Sequence, residues 1–258
     1  MKFFQNDGIG PVRGLLSIDH VIFTLLGIGV IAIFLILTRH FDNQRIKRTI
    51  RILFWIVLTL EILKIIWNLT IRENVTVNQW VPLYFCSLFI PALGLAGYTK
   101  RYLEKIGLSF LFYGGIVAGA VFVVWPTSAL PEQPLLHCLT FHTLIYHSLS
   151  VATGLLIITK GYFKPQINDI IPYGIIVFAF CLIAYIFNLI AGSNLMFISH
   201  DNDMFPLTLA SMIFGPLYPL GITVIQIVGT FFPSFGVYKL VESIKGNRSE
   251  EEDRDEKE

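Results

Sequence analysis

Residues 18–38 read IDHVIFTLLGIGVIAIFLILT. From Val21 to Leu37 this stretch holds no charged side chain. A bilayer core about 30 Å thick takes on the order of 20 apolar residues in a helix, so 18–38 reads as a membrane span. It is too long for the apolar core of a signal peptide and no small-residue cleavage site follows it, so it is expected to remain as the first span.

Working outward, the same reading repeats over 51–70, 80–98, 106–125, 138–159, 170–191 and 210–238. The last run is interrupted by Pro216, Pro219 and Pro233, which leaves its ends open. The whole chain agrees: 54% of residues are hydrophobic, 14% are charged and 22 are Phe, whereas a soluble domain carries about 25% charged residues. The expected fold is all-α and polytopic, with seven transmembrane helices in one domain over 1–240. A charged tail over 241–258 is expected to be disordered and cytoplasmic.

Orientation follows from the loop cations. Arg39, Arg45, Lys47 and Arg48 fill the first connection, Lys100, Arg101 and Lys105 the third, and Lys160 and Lys164 the fifth. The alternate connections hold only Arg72. This pattern places the N-terminus outside and the C-terminus in the cytoplasm of a multi-pass protein of the cell membrane. Trp67, Trp80 and Trp125 fall at outer ends, where interfacial anchors are expected. Net charge is +1 and no basic stripe runs through the chain, so no nucleic-acid partner is expected. The expected partners are membrane lipids.

Side chains that hydrocarbon disfavours mark a bundle interior or a wet cavity. Here they gather in the outer half. Asp19 and His20 open the first span, and Glu61, Lys64 and Asn68 share one face of the second. Cys86 lies just inside the third, His142 and His147 lie in the fifth, and Asn188 and Asn194 close the sixth. A shared polar pocket accounts for that asymmetry. In the fifth span Thr140, Thr143, His147, Ser150 and Gly154 form a small-polar stripe that turns His147 toward neighbouring helices. His142 stands about 140° away around the helix, which is not the spacing of a helical metal pair. Cys86, Cys138 and Cys181 make no CxxC pair. Neither a metal nor a cofactor is expected. Pro91 removes the amide that would bond the Ser87 carbonyl, so the third span should bend just after Cys86.

Each residue has a plainer reading. A cysteine in an apolar helix is most often an inert small hydrophobe. Glu61 and Lys64 can serve as a structural ion pair, His20 lies near the interface, and Asn194 can cap a turn. The chemical reading makes Cys86 a nucleophile with His147 as its general base. Two other functions fit the same residues. One is a transporter or small-molecule binding protein that uses Glu61, Lys64 and the histidines. The other is a membrane scaffold without catalysis.

The ordered set of His20, Glu61 with Lys64, Pro82-Leu83-Tyr84-Phe85-Cys86, His142 with His147, and Asn188 with Gly192-Ser193-Asn194 resembles the YwaF-like bacterial membrane proteins. These are related to eukaryotic transmembrane protein 164, and the likeness runs from about residue 15 to 240. The eukaryotic relatives move fatty acyl chains between phospholipids through a cysteine thioester. The resemblance implies a cysteine-dependent phospholipid acyltransferase or acyl hydrolase that acts from the outer leaflet, with Cys86 as nucleophile and His147 as base. His20, Glu61, Lys64, His142, Asn188 and Asn194 would then support the pocket. The chain departs from the bacterial pattern Pro-Leu-His-Leu-Cys-Asp by carrying Tyr84 and Ser87 where His and Asp would stand.

Overall fold

The computed structural model describes residues 2–255, with side chains described as far as Ile244. It contains seven crossings long and apolar enough to span a bilayer, and among the described residues there is no β-strand. The first two crossings are α1 (Ile18–Thr38) and α2 (Asn43–Thr70). The third is split into α3 (Val77–Trp80) and α4 (Phe89–Tyr98), and the fourth into α5 (Arg101–Tyr113) and α6 (Gly115–Val124). α7 (Cys138–Thr159) and α8 (Ile170–Ala191) are unbroken. The seventh consists of α9 (Leu207–Phe214) and α10 (Tyr218–Asp255). The charged tail over 241–258, expected to be disordered, lies mostly beyond the residues whose side chains are described.

Local chemistry sets the ends. Ser17 caps α1, and Asp42 caps α2 by accepting from the Arg45 amide at 2.8 Å. α8 stops at Gly192, whose φ of 62° suits glycine. Of the three prolines expected to interrupt the last span, only Pro216 marks a break, next to Gly215. Pro219 falls in the first turn of α10, where no amide is needed, and Pro233 lies within the helix. The break between α5 and α6, at Gly114, was not expected from the sequence.

The fourth and fifth crossings are the most enclosed. α6 packs along α7, which also receives α1 and α2, while α5 packs on α4 and α8. α6 and α7 approach closely because their facing residues are small. A Cβ on Gly119 would stand 2.6 Å from the His147 carbonyl oxygen, and one on Gly154 would stand 2.4 Å from Ile116. Ser150 uses the closeness to donate to the Gly115 carbonyl at 2.9 Å. Outward faces carry exposed Leu25, Ile36, Leu37, Leu189 and Ile190, as lipid contact requires.

The N-terminal segment folds over one end of this bundle. The Trp67 indole donates to the Phe4 carbonyl at 2.8 Å, His137 to the Gln5 carbonyl at 3.1 Å, and the Ile9 amide to the Leu136 carbonyl at 3.1 Å. Trp67 is therefore buried under this flap rather than spread at an interface as expected. Trp125 stays partly exposed, edge-on to His20.

Candidate functional site

The third crossing gives way at Pro82, ahead of the bend expected after Cys86, and Pro91 falls inside the first turn of α4. After α3 the chain runs extended to Tyr84, then makes one tight turn over Phe85–Leu88 before α4 begins. Cys86 lies in that turn and is half-buried. Irregular backbone at this depth has to be held by the protein. Tyr146 of α7 does so, its hydroxyl donating to the Cys86 carbonyl at 3.2 Å.

Tyr146 is also flanked by both histidines of its helix. Its ring centroid lies 5.7 Å from that of His142 and 5.5 Å from that of His147. The angle between the two imidazoles sends them to different neighbours. His142 turns to α2, where its Nε2 stands 3.5 Å from Glu61 Oε2. His147 turns to α6 and stacks on Phe122, centroids 4.0 Å apart.

The hydrogen bonds fix what each ring can do. His147 Nδ1 lies 2.8 Å from the Thr143 carbonyl, which can only accept, so Nδ1 carries the proton. In the neutral ring Nε2 then holds a lone pair, the state a general base needs. Neither nitrogen of His142 has a hydrogen-bond partner although both are buried. Glu61, 4% exposed, meets Lys64 Nζ at 2.5 Å. A buried pair of this kind offsets its own desolvation and sets the local potential for every neighbour.

Of the eight residues proposed for the site from the sequence, Glu61, Lys64 and His142 meet directly, and Cys86 and His147 are each linked to them through Tyr146. The other three are committed elsewhere. His20 accepts from the Leu16 amide at 3.1 Å and donates to the Val124 carbonyl at 2.7 Å, tying α1 to the end of α6. Asn188 accepts from Ser193 Oγ and the Leu195 amide and donates to the Leu195 carbonyl. Asn194 accepts from the Ser199 and His200 amides and donates to the His200 carbonyl and Asn202 Oδ1. These asparagines shape the connection from α8 to α9, and their amide groups have little capacity left for a reacting group.

Sequence reading passed over Tyr146 and Phe122. Tyr146 stands four residues after His142, on the same helix face. In a span this rich in aromatics, that spacing is the one signal that could have drawn attention to it.

The model of the TMEM164 family matches residues 15–236, and the chain belongs to that family. The matched stretch includes every residue of this neighbourhood. No curated protein and no solved structure matches the chain.

Proposed function

We propose that this TMEM164-family chain is a membrane-embedded acyl-transfer enzyme acting on phospholipid esters, with Cys86 as nucleophile and His147 as general base. One observation carries the reading. His147 keeps Nε2 unprotonated and unpaired, and the adjoining Tyr146 holds the turn that bears Cys86. In the first half-reaction Nε2 takes the Sγ proton and the thiolate adds to the ester carbonyl. The tetrahedral intermediate then collapses, the C–O bond breaks, and the lysolipid alkoxide leaves with the proton from His147. That leaves an acyl thioester on Cys86. A second hydroxyl, from another lipid or from water, reverses these steps and frees the thiol.

Lys64, the cation paired with Glu61, is the one we assign to the developing oxyanion. Asn194, which the resemblance would place in the supporting pocket, is taken up by its own loop. Glu61 and His142 set the potential around Lys64. We place the chain in the YwaF-like bacterial branch, in the cell membrane, with its N-terminus and this site toward the outer leaflet. The loop cations support that orientation.

The test is covalent. Purified full-length protein incubated with phospholipid vesicles should gain the mass of one acyl chain, and hydroxylamine should remove it. Cys86→Ala should abolish the adduct, whereas Cys138→Ala should not. An adduct that survives Cys86→Ala ends the nucleophile assignment.

The divided third, fourth and seventh crossings favour a second reading, a transporter whose broken helices surround Glu61, Lys64 and His142. Glu61-dependent, proton-coupled uptake into proteoliposomes by the Cys86→Ala variant would favour it over acyl transfer.

A further inference from the structure

At the end of the bundle away from the N-terminal flap, a cleft of about 420 Å³ opens between the start of α5 and the connection from α7 to α8. Arg101, Lys105 and Lys164 line it together with Asn43 and Glu104. These charges differ in status. Lys105 is committed to Asp169 at 2.7 Å, and Glu104 to Lys47 at 2.9 Å and the Tyr162 hydroxyl at 3.1 Å. Among the described residues Arg101 and Lys164 enter no ion pair. Two uncompensated cations on one concavity repel, and an anion between them relieves the repulsion.

One further feature points the same way. The cleft lies at the N-terminus of α5, a helix of 13 residues, where unpaired amides and the helix dipole favour negative charge. Arg101 has a φ of 55°, in the left-handed region that glycine adopts freely, so Arg101→Gly is a substitution the backbone accommodates.

We propose that this cleft binds a phosphate group, either in the headgroup of an anionic phospholipid or as a soluble phosphate, between Arg101 and Lys164. Arg101 supplies planar, paired donors and Lys164 a point charge, the combination that suits a phosphate oxygen cluster. The neutralised Glu104 leaves room for the added charge. Basic clefts between membrane helices are suited to such headgroups. The proposal does not depend on Cys86 chemistry.

The experiment uses full-length protein in a neutral detergent, titrated with short-chain phosphatidylglycerol and, separately, with inorganic phosphate. Ligand retention is read by native mass spectrometry and the unfolding midpoint by thermal melting. Phosphatidylglycerol should be retained and should raise the midpoint, and Arg101→Gly and Lys164→Gln should each weaken it roughly tenfold. Arg101→Gly relaxes the backbone, so the ligand-free variant should melt no lower than the wild type. That separates a lost ligand from a lost fold. Displacement of the lipid by millimolar phosphate would assign the site to a soluble phosphate, and resistance to it would assign the site to the lipid headgroup. Equal retention by the wild type and the Arg101→Gly/Lys164→Gln double variant, or no retention by either, overturns the proposal.

Discussion

Two polar knots lie near the same end of the bundle, and they spend their hydrogen bonds in opposite ways. In the connection after α8, Asn188 and Asn194 satisfy backbone groups with both ends of their amides. Around α2 and α7, His142 has no hydrogen-bond partner on either nitrogen, Asn68 Oδ1 is buried without one, and His147 commits only Nδ1. An unpartnered buried polar group costs about 1–3 kcal/mol. The first knot therefore stabilises the fold, while the second is held at the fold's expense. Residue type and depth are similar in the two. Uncommitted lone pairs are what separate architecture from chemistry.

The largest effect should come from setting one knot against the other. His147→Ala should slow formation of the acyl adduct by about 10²–10⁴-fold, the range for loss of a general base. Asn194→Ala should instead lower stability by about 1–3 kcal/mol and leave the rate per folded molecule unchanged. Adduct kinetics and denaturant melts on the same preparations check both. A rate loss in Asn194→Ala with an intact fold would erase the distinction.

Next in size is the ion pair. Glu61→Ala leaves the Lys64 ammonium without its carboxylate, and should cost about 3–5 kcal/mol. Replacing both partners with apolar residues, Glu61→Leu with Lys64→Met, should cost much less or even stabilise the protein, because two desolvation penalties disappear together. A double variant as unstable as Glu61→Ala would show that Lys64 is not what Glu61 answers.

The packing that carries His147 gives a smaller effect. Gly119→Ala puts a methyl 2.6 Å from the His147 carbonyl and 2.7 Å from Val151. Backbone cannot yield as a flexible side chain can, so α6 should be pushed from α7 at a cost of about 1–3 kcal/mol. Gly29 of α1 has nothing within 4 Å of its would-be Cβ. Gly29→Ala should therefore gain about 0.5–1 kcal/mol from reduced unfolded-chain entropy. Thermal melts of the two variants should move in opposite directions.

These contrasts show what a linear reading can reach. The seven crossings were legible because each is a covalently continuous apolar run, but the third breaks ahead of Cys86, between α3 and Tyr84, and not just after Cys86 on account of Pro91. The break at Gly114 was not legible, since a glycine inside an apolar run reads as ordinary helix until α7 is packed against it. Within the site, Glu61 and Lys64 were paired by spacing alone. The partners that cross between helices were not: His142 with Glu61, His147 with Phe122, and Tyr146 with the Cys86 turn. Asn188 and Asn194 looked like pocket residues because sequence gives depth but not the direction of an amide.

His137 belongs to the satisfied class, and it makes that class testable by pH. It lies in the connection before α7, where Nδ1 accepts from the Leu139 amide at 3.1 Å and Nε2 donates to the Gln5 carbonyl at 3.1 Å. Only the Nδ1 bond requires the neutral ring, since Nε2 donates in either state, and burial holds the pKa below the ordinary imidazole range. A histidine depressed in the folded state takes up protons more readily when unfolded. Its contribution is therefore complete above about pH 6.5, the unfolded value, and declines as pH falls from there toward the folded value. Protonation at Nδ1 would turn the helix cap from acceptor to donor against the Leu139 amide, while the Nε2 bond to Gln5 survives. His137→Asn keeps an oxygen to cap α7 and removes the titration. The difference in melting temperature between wild type and His137→Asn, followed from pH 8 to pH 5, should drift against the wild type on acidification. A difference that stays flat across that range would mean that His137 does not cap α7 through its neutral ring.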